Sequence, residues 1–202
     1  MNQKYKTAVF FTNINFVNKD HSAALSSERA AKAARLKQEA DKKRSTAAGV
    51  LLSKFLPGEE IYTDEFGKPQ TKSGVCFNLS HSGDYAVLAV SNAPVGIDIE
   101  KSREIDELRL GKIVYCENEM NALRKAGNKR KLFFELWTKK EALLKCMGKG
   151  FHRNAKSVDV SKDYFEENGA RYGFKLYYID DYTLCVCSEA GDFPDEPEFV
   201  KI

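Results

Sequence analysis

Apolar and polar residues alternate along some stretches of the chain and recur at helical spacing along others, so the sequence predicts both strands and helices. The first half is predicted to begin with a strand at residues 6–11. A helical stretch over residues 26–56, rich in alanine, lysine and arginine, follows and ends at Pro57 and Gly58. Three further strands, separated by turn residues, are predicted at residues 75–80, 85–90 and 95–100.

The second half of the chain shows a similar arrangement. Helices are predicted at residues 105–124 and 131–147, and Gly148 stands where glycine commonly follows a helix C-terminus. Strands are predicted at residues 157–160, 173–179 and 182–187. We therefore expect an α+β protein of two similar α/β halves, with an N-terminal half of residues 1–95 and a C-terminal half of residues 96–202.

Composition argues against polyanion-binding, secreted and membrane-spanning proteins. The chain has 202 residues, and its 32 lysines and arginines nearly balance 29 aspartates and glutamates, for a formal net charge of +3. Such a balance does not require a polyanionic partner. The chain has no apolar run long enough for a secretion signal or a membrane span, and its five cysteines lack metal-type or redox-type spacing. We expect a cytoplasmic monomer with reduced thiols that binds neither nucleic acid nor a membrane.

Residues 95–100 are the most informative stretch for chemistry. Side chains alternate along a strand, so Ile97 and Ile99 share one face while Asp98 and Glu100 share the other, about 7 Å apart. Two such carboxylates repel each other in a packed fold unless a cation lies near them. The alternative is an edge strand with a solvated acidic face.

The helix predicted at residues 131–147 supplies a third carboxylate. Trp137, Glu141 and Lys145 follow at four-residue steps and therefore lie along one side of the helix, at the margin of its apolar face. The alternative is an ordinary surface pair between Glu141 and Lys145. Taken together, Asp98, Glu100 and Glu141 suit a hard cation that prefers oxygen ligands, namely Mg²⁺.

Basic and hydroxyl side chains elsewhere suit phosphate groups. His81 follows Ser80 at the end of a predicted strand, and Arg29 and Lys32 share a helix face, with Arg44 further along the chain. A solvated basic face and an exposed histidine are the ordinary alternatives. Gly148-Lys149-Gly150 resembles a phosphate loop only weakly, because no Walker A spacing is present. The combination of carboxylates with these cations predicts a site for a metal and a diphosphate.

The sequence resembles the two-domain Sfp-type 4′-phosphopantetheinyl transferases. The resemblance is carried by residues 95–100 and 137–145, which are separated as in that family and followed by residues 148–150. Supporting matches lie at residues 41–44, 66–69 and 77–82. The resemblance implies a pseudo-twofold fold with the active site in the cleft between the halves. It also implies Mg²⁺-dependent transfer of phosphopantetheine from coenzyme A to a serine of an acyl or peptidyl carrier protein.

The resemblance also implies a role for each site residue. Asp98, Glu100 and Glu141 would hold Mg²⁺, with Glu141 as general base. The phosphates of coenzyme A would contact Lys140 and Lys145, and Lys145 would also offset charge on the leaving group. The residues implied at the 3′-phosphate and adenosine end are Arg29, Lys32, Arg44, Lys68, Ser80 and His81. A further glutamate of the family could be Glu117 or Glu119.

Two other functions stay open. One is a non-catalytic regulator that binds coenzyme A or a nucleotide with the same fold, and the intact set of Asp98, Glu100, Glu141 and Lys145 argues against it. The other is a nucleic-acid-binding protein that uses the basic helix, and the net charge of +3 with a single tryptophan argues against that.

Overall fold

The computed structural model describes residues 7–23, 25, 27–65, 67–148 and 154–202. The helices of these residues are α1 (Lys19–Ala23), α2 (Ser27–Ala34), α3 (Glu39–Phe55), α4 (Glu107–Val114), α5 (Glu117–Lys125) and α6 (Lys129–Met147). The strands are β1 (Thr7–Asn13), β2 (Ile61–Thr63), β3 (Pro69–Thr71), β4 (Cys76–Ser82), β5 (Tyr85–Ser91), β6 (Val95–Lys101), β7 (Tyr164–Glu167), β8 (Ala170–Ile179), β9 (Tyr182–Ser188) and β10 (Glu198–Phe199). Among the described helices, none combines the length and apolar character that a bilayer crossing needs.

The strands form two four-stranded sheets and one short hairpin. The first sheet has the order β10–β1–β5–β4, the second has the order β6–β9–β8–β7, and β2 pairs with β3. All neighbours are antiparallel except β1 and β10, which are parallel. The chain passes from the first sheet to the second between Ser91 and Val95. A division into two domains at residue 95 stays a prediction, since β10 returns to the first sheet from the end of the chain.

The two sheets pack face to face, and a helix covers the outer face of each. Every residue of β5 is buried because the strand has a neighbour on both faces. Its Leu88 belongs to the apolar cluster beneath α3, which includes Leu51, and its Val87 belongs to the cluster between the sheets, which includes Ile97. A third cluster joins the second sheet to α6. The result is an α/β/β/α arrangement, which confirms the predicted α+β class.

Two long predicted helices are each divided in the structure. The stretch over residues 26–56 forms α2 and α3, separated at residues 35–38 by an extended backbone at Gln38. The stretch over residues 105–124 forms α4 and α5, because Tyr115 leaves the helical conformation and its buried hydroxyl donates to the carbonyl of Phe133 at 2.6 Å. Neither division is marked by glycine or proline, so composition does not reveal them.

The strand predicted at residues 157–160 is wrong. A 3₁₀ turn occupies Ala155–Ser157, and the next strand is β7. Val158 and Val160 are fully buried, but side chains satisfy their backbone groups in place of a neighbouring strand. The carbonyl of Val158 accepts from Lys140, and the N–H of Val160 donates to Glu119.

Candidate active site

Strand β6 lies unusually close to helix α6. A Cβ atom at Gly96 would lie 2.0 Å from the carbonyl oxygen of Ala142, so a side chain at this position would force the two elements apart. Because side chains alternate along a strand, Asp98 and Glu100 share the face of Gly96 that is turned toward α6. Glycine therefore brings the two predicted carboxylates against the helix that carries the third.

Asp98 is the most buried of these carboxylates. Its Oδ1 accepts from the ammonium of Lys145 at 2.6 Å and from the hydroxyl of Ser80 at 2.9 Å. The side chain of Asp98 is 7% exposed and that of Lys145 is 29% exposed. The second oxygen, Oδ2, is buried and has no hydrogen-bond partner among the described residues. Asp98 thus presents a buried acceptor that none of the described residues satisfies.

Glu100 lies two residues further along β6 and has a donor on each oxygen. The hydroxyl of Ser82 donates to Oε2 at 3.2 Å, and the indole N–H of Trp137 donates to Oε1 at 3.3 Å. Arg103 adds an ion pair with Oε2 at 3.6 Å. The contact from Trp137 shows that the predicted side of α6 does face the acidic strand.

Glu141 is half-buried one helical turn before Lys145. Burial raises the pKa of Glu141 above its ordinary value, and the negative charge of Asp98 raises it further. Burial also raises the pKa of Glu100, again with repulsion from Asp98. The pKa of Asp98 is raised by burial, although Lys145 and Ser80 oppose that change. The three carboxylates therefore repel one another, and a nearby cation would relieve this repulsion.

The donor set fits a divalent cation of the Mg²⁺ type. Hard cations prefer oxygen ligands, and all three candidate ligands are carboxylates. The observation that tests the fit is Oδ2 of Asp98, a buried acceptor that none of the described protein donors satisfies. A buried polar atom without a partner costs free energy, so a ligand that satisfies it is favoured.

The basic residues predicted for phosphate contact lie along the N-terminal half. The guanidinium of Arg44 donates to the carbonyl of Gly83 at 2.9 Å and pairs with Asp41 at 2.6 Å. His81 is exposed at the end of β4, and burial of part of its ring, followed by repulsion from Arg44, lowers its pKa. Arg29 is half-buried on α2. The side chain of Lys32, like Phe66, Lys149 and Gly150, lies outside the described residues.

Lys68 joins the hairpin of β2 and β3 to the end of α6. Its ammonium donates to the carbonyl oxygen of Cys146 at 3.0 Å, where the last turn of the helix leaves carbonyl groups unpaired. Burial lowers the pKa of Lys68. This lysine from the N-terminal half therefore contacts the helix next to Lys145.

We call Asp98, Glu100 and Glu141 the acidic cluster. The structure does not bring Lys140 to this cluster. Its side chain is 2% exposed, and its ammonium contacts Oε2 of Glu119 and the carbonyls of Ala155 and Val158 at 2.6–2.8 Å. This differs from the expected phosphate contact, since these three oxygens use all three ammonium hydrogens. Glu119 is likewise fully buried in this pair, and Glu117 is an exposed partner of Arg124. Neither glutamate lies with Asp98.

Sequence reasoning missed the part that Ser82 plays at this site. Ser82 lies two residues after Ser80 on β4, so the two hydroxyls share a face, and they contact Glu100 and Asp98 respectively. The alternation within residues 78–82 is the signal that could have identified it. The role of Gly96 could not be identified from residue spacing, because it depends on how α6 packs against β6.

Residues 94–190, which contain the acidic cluster, match the family described as the 4′-phosphopantetheinyl transferase superfamily. The chain is 38% identical over 198 residues to 4′-phosphopantetheinyl transferase psf-1 of Bacillus pumilus, a match that covers 88% of this chain and 83% of that protein. It is 40% identical over 133 residues to 4′-phosphopantetheinyl transferase gsp of Aneurinibacillus migulanus, covering 61% of this chain and 56% of that protein.

A third relative is 4′-phosphopantetheinyl transferase Sfp of Bacillus subtilis (strain 168), which is 31% identical over 152 residues, or 69% of this chain and 67% of that protein. The chain belongs to the 4′-phosphopantetheinyl transferases, a family of transferase enzymes. The resemblance drawn from residues 95–100 and 137–145 is thereby confirmed.

Proposed function

We propose that this protein transfers the 4′-phosphopantetheine group of coenzyme A to a serine hydroxyl of an acyl or peptidyl carrier protein. Membership of the transferase family supports the reaction type. The observation that carries the proposal is the buried Oδ2 of Asp98, which no described residue satisfies, on a carboxylate that pairs with Lys145 and interacts electrostatically with Glu100 and Glu141. This arrangement suits a diphosphate that is bound together with a divalent cation.

The proposed reaction is a phosphoryl transfer. The serine oxygen of the carrier forms a bond to the phosphorus atom that bears the pantetheine arm, and the bond from that phosphorus to the bridging oxygen breaks. Adenosine 3′,5′-bisphosphate leaves with the bridging oxygen, and the serine proton is lost. Such transfers depend mainly on positioning and on stabilising charge.

Glu141 accepts the serine proton in this proposal. A carboxylate has two oxygens, so one oxygen of Glu141 can accept the proton while the other is held by the cation. Lys145 contacts Asp98 and is partly exposed, and it stabilises negative charge on the departing phosphate. Mg²⁺, held by Asp98, Glu100 and Glu141, would supply charge neutralisation at the diphosphate.

Coenzyme A is expected to lie along the basic residues of the N-terminal half. Ser80 contacts Asp98 and is followed by His81, so β4 leads from the acidic cluster toward the Gly83 carbonyl that Arg44 contacts. Arg29, Lys32 and Lys68 complete the proposed set of cations. Lys140 is left out, because its donors are used inside the core.

The carrier protein is proposed to dock on an apolar groove of about 250 Å³ beside Glu100 and Trp137. The apolar residues that line it are Ile105, Leu110, Ile113, Val114, Phe133 and Phe134. Ile113 is 65% exposed, so a large apolar side chain faces solvent next to the reacting groups. The groove is lined in part by Glu100 and Trp137, so a carrier docked there would bring its serine near the proposed metal ligands.

The setting proposed for the reaction is the cytoplasm. All five cysteines are free thiols in the structure, which suits a reducing compartment.

The test is incubation of the protein with coenzyme A, Mg²⁺ and apo carrier proteins of the fatty-acid, polyketide and peptide types, followed by mass spectrometry of each carrier. We expect at least one carrier to gain a single phosphopantetheine group, and the gain to disappear when the carrier serine is replaced by alanine. Binding of coenzyme A with no transfer to any carrier would overturn the enzyme proposal in favour of a regulator with the same fold.

A further inference from the structure

The Glu100 carboxylate is held at both of its oxygens by neutral donors from two different elements. Ser82 of β4 donates to Oε2, and Trp137 of α6 donates to Oε1. Since β4 belongs to the first sheet and β6 to the second, the hydroxyl of Ser82 crosses the boundary between the sheets. The orientation of Glu100 thus depends on both halves of the molecule.

The hydroxyl of Ser82 is oriented by a second hydrogen bond. The backbone N–H of Lys101 donates to Oγ of Ser82 at 3.1 Å. Because Oγ accepts there, the single hydroxyl hydrogen remains free to point at Glu100. A similar bond from the N–H of Ile97 to the side chain of Asn78, at 2.9 Å, holds the same two strands together nearby. Ser82 is therefore a preset donor.

Trp137 is held in place by its ring. The indole stacks on Phe133, with ring centroids 6.3 Å apart and an interplanar angle of 9°. The indole N–H can only donate a hydrogen bond, and it donates to Oε1 of Glu100. The same indole lines the apolar groove. Trp137 thus contacts Glu100 and lines the same groove.

We infer that Ser82 and Trp137 are positioning residues that orient the Glu100 carboxylate for the divalent cation. A carboxylate has about four lone-pair sites, and the two donors together with the Arg103 ion pair at Oε2 use at most three of them, so at least one stays available to a cation. Hydrogen bonds to metal-binding carboxylates orient the ligand, and their loss commonly costs about 10- to 100-fold in metal affinity or activity. This inference rests on the proposed Mg²⁺ site.

The sequence supplies a reporter for the test, because Trp137 is the single tryptophan of the chain. Tryptophan emission is recorded while Mg²⁺ is added to the protein, with and without coenzyme A. We expect Mg²⁺ to change the emission of the wild-type protein, since the indole N–H contacts Glu100. In Ser82→Ala, the Mg²⁺ concentration for half of the change should rise about 10- to 100-fold.

A second variant and a control separate positioning from folding. Trp137→Phe keeps the stacking ring but loses the N–H, and calorimetric titration with Mg²⁺ and coenzyme A should show a shift of the same size. Ser157→Ala removes a hydroxyl that donates to the carbonyl of Asn154, away from the cluster, and should leave Mg²⁺ binding unchanged. The melting temperatures of all variants are measured alongside.

The outcomes distinguish this inference from the proposed function. Wild-type protein whose emission, calorimetric titration and transfer are all independent of Mg²⁺ would overturn the metal site itself, and the positioning roles with it. Wild-type protein that binds Mg²⁺, with Ser82→Ala and Trp137→Phe binding it equally well, would overturn the positioning roles alone.

Discussion

Two lysines of α6, five residues apart, each pair with a buried carboxylate. The two pairs differ in whether both oxygens of the carboxylate have a partner among the described residues. Lys140 and Glu119 lie 2.8 Å apart, and their side chains are 2% and 0% exposed. Glu119 also accepts from the N–H groups of Cys116 and Val160, so the pair is satisfied on both sides. Lys145 and Asp98 lie 2.6 Å apart, but Oδ2 of Asp98 has no partner among the described residues.

Under the proposed function, this is the difference expected between a structural pair and a functional pair. The pair of Lys140 and Glu119, which we call the closed pair, compensates its own desolvation and joins α5, α6 and the segment after Ala155. The pair of Lys145 and Asp98, which we call the open pair, leaves an acceptor near Glu100 and Glu141, whose pKa values are raised. Raised pKa values and an unsatisfied atom at one place are typical of a binding or catalytic site.

Among substitutions in α6, Glu141→Gln is expected to lower transfer most, because it removes the proposed general base. Phosphopantetheine transfer should fall by about 10²- to 10⁴-fold. Stability at neutral pH should stay equal or increase. The raised pKa means that the folded state favours protonated Glu141, so ionised Glu141 opposes folding above the unfolded pKa. Transfer kinetics and urea unfolding at pH 7 check both statements, and a large loss of stability would contradict the second.

Lys140→Met breaks the closed pair and leaves the Glu119 charge buried without a partner. The free energy of unfolding should fall by about 3–5 kcal/mol, measured by urea unfolding. Lys145→Met is the matched substitution in the open pair and should cost less, because Lys145 is partly exposed.

Removing both charges provides the control for this comparison. The double variant Lys140→Met with Glu119→Gln should regain part of the lost stability, because it removes the unpaired buried charge while the amide oxygen can still accept a backbone N–H. If Lys140→Met lowered stability no more than Lys145→Met does, the distinction between the two pairs would fail.

Gly96→Ala tests whether the open pair depends on the close approach of β6 and α6. The added Cβ would lie 2.0 Å from the Ala142 carbonyl, so we expect a loss of about 1–3 kcal/mol in the free energy of unfolding. Transfer per folded molecule should fall too, because Asp98 and Glu141 move apart. Gly127→Ala, where nothing lies within 4 Å of the added Cβ atom, controls for the loss of glycine itself. Full activity in Gly96→Ala would be inconsistent with this account.

The smallest effect is expected for Ile113→Asp in the apolar groove. Its side chain is largely exposed, so folding should change little. The KM for the carrier protein should rise about tenfold, equivalent to about 1.4 kcal/mol, while the KM for coenzyme A stays constant. Tyr62→Asp, at another exposed site, serves as the control. An unchanged carrier KM for Ile113→Asp would exclude the groove as the docking surface.

Part of this site could be predicted from residue spacing. Alternation placed Asp98 and Glu100 on one face, and helical spacing placed Trp137 and Lys145 along one side of α6; the structure brings these sides together. Both rules concern neighbours along one element, where geometry depends only on the backbone. The alternative of two unrelated solvated faces is therefore wrong for these residues.

The role of Lys140 could not be derived in the same way. It lies four residues after the buried Leu136 and four before the buried Leu144, so its place on the apolar face of α6 was visible. Its partner Glu119 was not, because that contact depends on how α5 packs against α6. The same holds for the division between α2 and α3, where no glycine or proline interrupts a run of helix formers.

The most direct test compares the carboxamide variants of the two pairs, Asp98→Asn and Glu119→Gln. Each is incubated with coenzyme A, Mg²⁺ and an apo carrier, and transfer is measured by mass spectrometry per molecule of folded protein. The account predicts that Asp98→Asn folds but transfers no phosphopantetheine, whereas Glu119→Gln is less stable and still transfers it. Near-normal transfer by Asp98→Asn in the presence of Mg²⁺ would contradict the assignment of the open pair as the active site.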